Sequence, residues 1–600
     1  MTDKIPHWNL SNVYESLNSP HLEADIQWVS EECKAIERYF QENLIPMNAK
    51  TPASLMAEKL SVVVDRFNGL FLKTNTIRAY LNGFISTDSY NKDAMRLNSR
   101  FGILMLPVRT LNTRLQAWLG EVKAFLPAAL EVEGSAKAHA FALLENADQA
   151  QYLMSEGEEV LAGELNLSGG RAWEQLQGTV TSQKTVSIEV GGEMKTLPMP
   201  AVINLHGHPD EATRKKAYEA ELKAWEEIKE PIAAAMNGIK GTVNTLNKHR
   251  GRRDALHSAL DMARIDQQTL DAMMGAMQDS FPMFRRYFRA KAKRFGQEAL
   301  PWWNLYAPVG KVSKTYTFEE ARKLILKNFA TFTPELEGFA RKAFENYWID
   351  AEQRAGKRGG AFCMSVPAVK ESRILGNFDG SLDQVSTMAH ELGHGFHNYC
   401  MFKAGKTEIQ RTTPMTMAET ASIMCETIVS NAILSEVMAP QEELAILETS
   451  LIGDSQVIVD IFSRFLFEKE VFERREKSEL SAEDLCDIME RAQMATYGDG
   501  LDKDHLHKYM WTWKPHYYST TLSFYNFPYA FGLLFGLGLF AIYQQKGEAF
   551  VPEYMELLAS TGEGTAADLA ARFGIDIRSK SFWEGSLKVI EAKVERYCAL

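Results

Sequence analysis

Through most of this 600-residue chain, apolar residues recur every three or four positions. From about 20 to 180 the pattern forms long amphipathic stretches with few glycine or proline breaks. It resumes from about 208 to 350, interrupted at Leu300-Pro301-Trp302-Trp303. A period near 3.6 predicts helices. Alternation replaces it at a few places. Residues 185–197 alternate around Gly191-Gly192 and predict a β-hairpin. Residues 359–366 and 373–378 predict two short strands. The expected class is mainly α, with a small β-sheet just ahead of the helix that begins beyond residue 380. No internal repeat or low-complexity tract interrupts the pattern. The hairpin near 190 is the best boundary, dividing the chain into an N-terminal helical lobe, 1–200, and a second region, 201–600.

The helix beyond residue 380 has two faces of different chemistry. Val385, Met388, Leu392, Phe396 and Tyr399 share one side, while Asp383, His390, His394 and His397 share the other. One stripe anchors the helix in a core and the other presents histidines to a cavity. Within it stands His390-Glu391-Leu392-Gly393-His394. Residues four apart on a helix project together, so both imidazoles can close on one metal ion. Glu391 lies about 100° round the helix, displaced from the ligand direction but able to reach a water beside the ion. Two protein nitrogens, an open position and a nearby base are what zinc-assisted hydrolysis requires, so the expected cofactor is one Zn²⁺. His/His/Glu ligation does not exclude manganese or cobalt.

A third ligand is sought downstream. Thr413 before Pro414 predicts a helix start, after which Met417, Ala421, Met424 and Ile428 form a buried face and Glu419 and Glu426 share the other. Glu419 can be the ligand, or can close a capping box with Thr416. Pro414 favours the ligand, because it starts the helix early enough to put Glu419 in the second turn. Glu426 is expected to orient an imidazole through its free N–H. His397, His206, His208 and Glu408 are weaker candidates. His397 is expected to pack or to support the ligands, the histidines of His206-Gly207-His208 to be incidental turn residues, and Glu408 lies in a connection without helical pattern.

Composition narrows the classes. A net charge of −12 argues against nucleic acid or an anionic membrane as the main partner. Six scattered cysteines without a C-x-x-C pair suit a reducing compartment, and residues 1–10 lack the apolar run of a secretory signal. The expected location is the cytoplasm. Residues 515–545 carry no charge and 527–543 are nearly all apolar, but Pro528 and polar neighbours shorten the run below the roughly 20 residues a membrane span needs. Its many rings suit a buried cleft wall.

Six segments together carry a family resemblance: Trp8-Asn9-Leu10, Gly356 to Phe362, His390 to His397, Ala418-Glu419-Thr420-Ala421-Ser422, Pro515-His516-Tyr517-Tyr518, and Phe524 to Tyr529. The chain resembles the oligoendopeptidase F branch of the thimet oligopeptidase/neurolysin family of zinc metallopeptidases, over most of its length. The separation of His394 from Glu419 agrees with that family's spacing. The resemblance implies a two-lobed helical zincin-type peptidase with a deep channel that admits unfolded oligopeptides, and makes 201–600 the catalytic region. It also implies that His516, Tyr525 and Tyr529 contact the substrate carbonyl. Pro528 stands where the thimet branch has a different residue, which leaves the register at Tyr529 open. The expected function is zinc-dependent hydrolysis of internal peptide bonds in oligopeptides, with His390, His394 and Glu419 as ligands and Glu391 activating water. A peptidyl-dipeptidase of the same family and a non-catalytic peptide-binding protein are the alternatives.

Overall fold

The computed structural model describes residues 5–310, 314–436 and 439–600. Residues 1–4, part of the stretch read above for a signal, and 311–313, within the second helical run, lie outside these. The described chain is mainly helical, with two small sheets. Short polar side chains start many of the helices. Ser19 accepts from the His21 N–H ahead of Pro20–Asn43, and Thr317 and Glu320 form a capping box at Phe318–Phe332.

The chain divides into two compact units, each assembled from three stretches. The first takes residues 1–153, 314–433 and 542–574; the second takes 154–313, 434–541 and 575–600. In the first, Pro20–Asn43, Ala53–Thr87 and Lys92–Glu121 bury one core that includes Ile36, Phe67, Leu70 and Trp118. In the second, strands β1 (Thr185–Val190) and β2 (Glu193–Pro198) form the expected hairpin. β1 packs against the helix Glu211–His249, with Ile188 buried beside Val202 and Ala217. By compactness the chain parts after 153, and the hairpin packs Ile188 inside the second unit.

The sheet expected before the motif helix lies in the first unit. β3 (Ile349–Asp350) runs parallel to β5 (Glu371–Leu375), which pairs antiparallel with β4 (Phe362–Val366). The order β3-β5-β4 leaves β4 at an edge. β4 begins later than its sequence pattern suggests, because Gly360 adopts φ 78° and breaks the extended run. β5 begins earlier, because Lys370 at φ 53° turns the chain back sharply after Pro367–Val369.

The apolar stretch near the C-terminus forms the helix Phe527–Lys546. Pro528 does not shorten it, since a proline in the first turn removes no helical hydrogen bond. By length and composition the run Phe527–Ser560 suffices to cross a membrane, yet 67% of its most apolar window is buried within the protein. Phe531 packs on Trp583, and Phe535 on Phe582. It is a core helix.

Candidate metal centre and active site

The motif helix spans Leu382–Lys403, capped by Ser381, which accepts from the Gln384 N–H. Val385, Met388, Leu392 and Phe396 are buried on one side, as the periodicity predicts. The next helix approaches it through glycine. A Cβ on Gly393 would stand 2.6 Å from both the Ala421 carbonyl oxygen and Ser422 Cα. The two backbones are that close, which is what brings Glu419 to the histidines.

Glu419 sits at the break between a single turn, Met415–Ala418, and the helix Thr420–Glu436. The start is one residue later than expected, with Pro414 at the N-cap position. Glu419 does not close a capping box. Its Oε2 lies 3.2 Å from His390 Nε2 and 3.4 Å from His394 Nε2, and it accepts from Ser422 Oγ at 2.6 Å. Among the described residues, His390, His394 and Glu419 form the group able to hold a metal, with donor atoms within 4.8 Å of one another. Ligand atoms bound tetrahedrally at about 2.0–2.1 Å stand about 3.3–3.4 Å apart, so both separations to Glu419 fit such an ion.

Electrostatics agree with the geometry. Burial alone would lower His390, but Glu419 and Glu426 outweigh it and push it up to about 10. The site thus concentrates negative charge where a cation would sit. Glu426 Oε2 lies 3.0 Å from His390 Nδ1. A carboxylate accepts, so the Nδ1–H points to Glu426 and Nε2 faces Glu419. Burial lowers His394 to about 4, which keeps its lone pair available. Burial tends to raise Glu419, but the hydrogen bond from His390 and both histidine charges carry it down to about 2.

Glu391 is buried, and burial, with further contributions from Glu419 and Glu426, lifts it to about 7 against the pull of His390. Its Oε2 has no hydrogen-bond partner among the described residues. It lines a recess of about 490 Å³ together with the ligand set, Phe362, Cys363 and Ser365. Burial, and then Glu391, push the Cys363 thiol far up, so it stays neutral beside the acid. His397 lines the same recess but lies outside the group able to hold a metal. Its Nε2 meets Thr561 Oγ1 at 2.9 Å, and burial lowers it to about 4. Glu408 is occupied by Arg411 and Asn75.

The chain matches the model of peptidase family M3 over residues 204–589. It belongs to that family. With the family match and its oligopeptidase relatives, the chain is a metalloendopeptidase, a hydrolase of peptide bonds. Oligopeptidase PepF of Bacillus subtilis (strain 168) is 24% identical over 464 residues, 76% of this chain and 68% of the relative. The oligoendopeptidase F homolog of Lactococcus lactis subsp. lactis (strain IL1403) is 22% identical over 606 residues, 99% of this chain and 97% of its own. Among solved structures, one from Chlamydophila abortus has TM-score 0.84 at 18% identity, covering 99% of this chain and 98% of that one. Oligoendopeptidase-F from Enterococcus faecium has TM-score 0.66 at 18% identity, with 96% and 98% covered. These two share the fold.

The second unit of this M3 peptidase gathers the three residues singled out near the C-terminus. His516 stacks on Tyr525 with centroids 5.7 Å apart, and the Tyr525 and Tyr529 hydroxyls are 2.6 Å apart. Sequence reasoning missed what holds His516. Arg464 Nη1 donates to Asn526 Oδ1 at 3.4 Å, and Asn526 Nδ2 donates to His516 Nε2 at 2.7 Å. An arginine can only donate, so the amide orientation is fixed and His516 Nε2 must accept, leaving the proton on Nδ1. Burial, then the Arg464 charge, lower His516 to about 3, which keeps it neutral. Tyr517 and Tyr518 are core residues. Ser422 and Gly393 were also missed. Their signal is positional: a serine three residues after Glu419, and the smallest residue between the histidines.

Proposed function

We propose that this protein is a zinc-dependent endopeptidase that cleaves internal bonds of short, unfolded oligopeptides. One observation carries the reading: two imidazole nitrogens and the Glu419 carboxylate turn to one point, with the Glu391 carboxyl beside it in the same recess. His390, His394 and Glu419 would hold the ion, which when bound supplies a Lewis acid and makes water acidic enough to ionise near neutrality.

Glu391 takes the proton of the attacking water and hands it to the leaving amine, worth roughly 10²–10⁴-fold. Its burial limits competing solvent. Glu426 fixes the His390 ring and Ser422 fixes the Glu419 carboxylate, so neither ligand reorganises during turnover. Edge strand β4 offers its free backbone groups to an extended peptide, which explains a preference for unfolded chains. His516 Nδ1–H and the Tyr525–Tyr529 hydroxyl pair are the donors for the carbonyl oxygen, each worth on the order of 10²-fold when aligned. In this reading 1–200 is an N-terminal helical region and 201–600 the catalytic one, nearly the extent of the family match. We assign the enzyme to the cytoplasm on the strength of six unpaired cysteines.

The test uses internally quenched peptides with blocked termini and mass-spectrometric location of the cut. Wild-type protein cleaves at internal bonds, loses activity to a chelator and regains it with one equivalent of zinc. Glu391→Gln binds zinc normally and loses at least 10²-fold in kcat. Near-normal cleavage by zinc-loaded Glu391→Gln would overturn the mechanism.

A further inference from the structure

A second recess of about 580 Å³ adjoins the catalytic one within the first unit, and the two share Ser365, Asn398, Met401, Arg411 and Thr413. Edge strand β4 runs from one into the other. Phe362 and Cys363 line the catalytic recess, Met364 and Pro367 line the second, and Ser365 lines both. A peptide extended along β4 therefore passes from the reacting bond into the second recess.

The far wall is the polar stripe of Ala53–Thr87, where Asn75, Arg78 and Asn82 stand at i, i+3 and i+7. The recess has three charged lining groups: Arg78, Arg411 and Glu408. Two of them cancel. Arg411 and Glu408 form a nearly buried ion pair, Asn75 Nδ2 donates to Glu408 Oε2 at 2.8 Å, and Arg411 stacks over Phe402 at 4.1 Å. Arg78 is left over. It has no ion-pair or hydrogen-bond partner among the described residues. Crowding by protein and then the Arg109 cation hold it below the usual guanidinium range. Arg78 is exposed at the recess wall, so its guanidinium can be reached by a ligand from solvent. Other donors also stand idle. Among the described residues Ser365 Oγ is buried without a partner, and Asn82 Nδ2 meets only a weak acceptor, Met364 Sδ, at 3.7 Å.

We propose that this recess is a substrate subsite that selects a carboxylate, with Arg78 as its specificity residue. The proposal rests on the peptide-hydrolase reading above. A guanidinium recognises a carboxylate through two parallel N–H···O bonds, which a neutral amide cannot reproduce. Cys363 to Pro367 spans about 13 Å of strand at roughly 3.3 Å per residue, which sets the carboxylate about three to four residues from the cleaved bond. An oligopeptide supplies one from an acidic side chain or from its C-terminus.

The experiment uses quenched peptides that differ only in one residue, Glu or Gln, stepped from two to five positions either side of the cut, each with a free or amidated C-terminus. Wild type is expected to favour the carboxylate member of one pair by about tenfold in kcat/KM. That ratio falls to about one in Arg78→Gln, inverts in Arg78→Glu and is partly restored in Arg78→Lys. A ratio that follows Glu identifies a side chain; one that follows the free terminus identifies the chain end. Equal cleavage of all pairs by wild type, or a ratio unchanged in Arg78→Gln, overturns the subsite alone. Cleavage of no peptide overturns the hydrolase reading as well.

Discussion

Gly393→Ala isolates the contact that brings the third ligand into place. An alanine Cβ would stand 2.6 Å from two backbone atoms, the Ala421 carbonyl oxygen and Ser422 Cα, and backbone cannot rotate aside as a side chain can. Ordinary contact begins near 3.4 Å, so the helix Thr420–Glu436 must retreat by about 0.8 Å. Glu419 precedes Ala421 by two residues and moves with it. Metal–ligand distances tolerate about 0.2 Å, and a misplacement of about 1 Å near a reacting centre costs on the order of 10²-fold. Stability responds to opposing terms. Alanine gains about 1 kcal/mol over glycine in a helix, and overpacking costs about 1–3 kcal/mol. The expected outcome is a folded protein with Tm near or slightly below wild type, zinc affinity at least tenfold weaker by competition with a chromophoric chelator, and kcat/KM about 10²-fold lower at saturating zinc. A variant with a higher Tm, wild-type zinc affinity and full turnover would refute the argument, since it would mean the two helices are not held apart by that atom.

Four further outcomes follow from other contacts. Glu426→Gln removes the charge that fixes the His390 ring, and zinc affinity measured by the same competition should fall about 10–100-fold while the circular dichroism spectrum is unchanged. Tyr525→Phe and Tyr529→Phe should each lower kcat on a quenched peptide by about 10²-fold with zinc content intact; an unchanged kcat removes that tyrosine from the carbonyl contacts. Glu221, buried between His206 and His507, is held well below the usual carboxylate range despite burial, which tends to raise it. A lowered folded-state pKa contributes stability above the unfolded value that is lost as pH falls, so Glu221→Gln should cost about 3–5 kcal/mol at pH 7. The Tm gap to wild type should narrow as the pH falls below about 4.5; a constant gap would contradict the buried-charge account.

Much of the catalytic recess was legible because it lies on one helix. The apolar stripe Val385-Met388-Leu392-Phe396 fixes which way the helix faces, and the two histidines follow from that. Glu426 was readable for the same reason, being seven residues from Glu419 on a second periodic stretch. Glu419 itself was ambiguous, because spacing cannot tell a cap from a ligand when proline leaves the helix start open. Contacts between distant segments were not legible. His206 reads as an incidental turn residue, yet it is buried against Glu221. Asn526 has no motif, yet it fixes the tautomer of His516 through Arg464. Periodicity reports which face of an element is covered. It is silent on what covers it, and so on Gly393 against Ala421 and on the wall opposite Arg78.

The discontinuous chain path has a consequence for biosynthesis. His390, His394 and Glu419 are translated by residue 419, but the unit that contains them is completed only by residues 542–574, where Thr561 Oγ1 hydrogen-bonds His397, one turn from His394. At about 5–20 residues per second, roughly eight to thirty seconds separate the two events on the ribosome. Until the last stretch emerges, the motif helix lacks part of its packing. The nascent chain therefore carries the His390, His394 and Glu419 group before the unit that holds it can close.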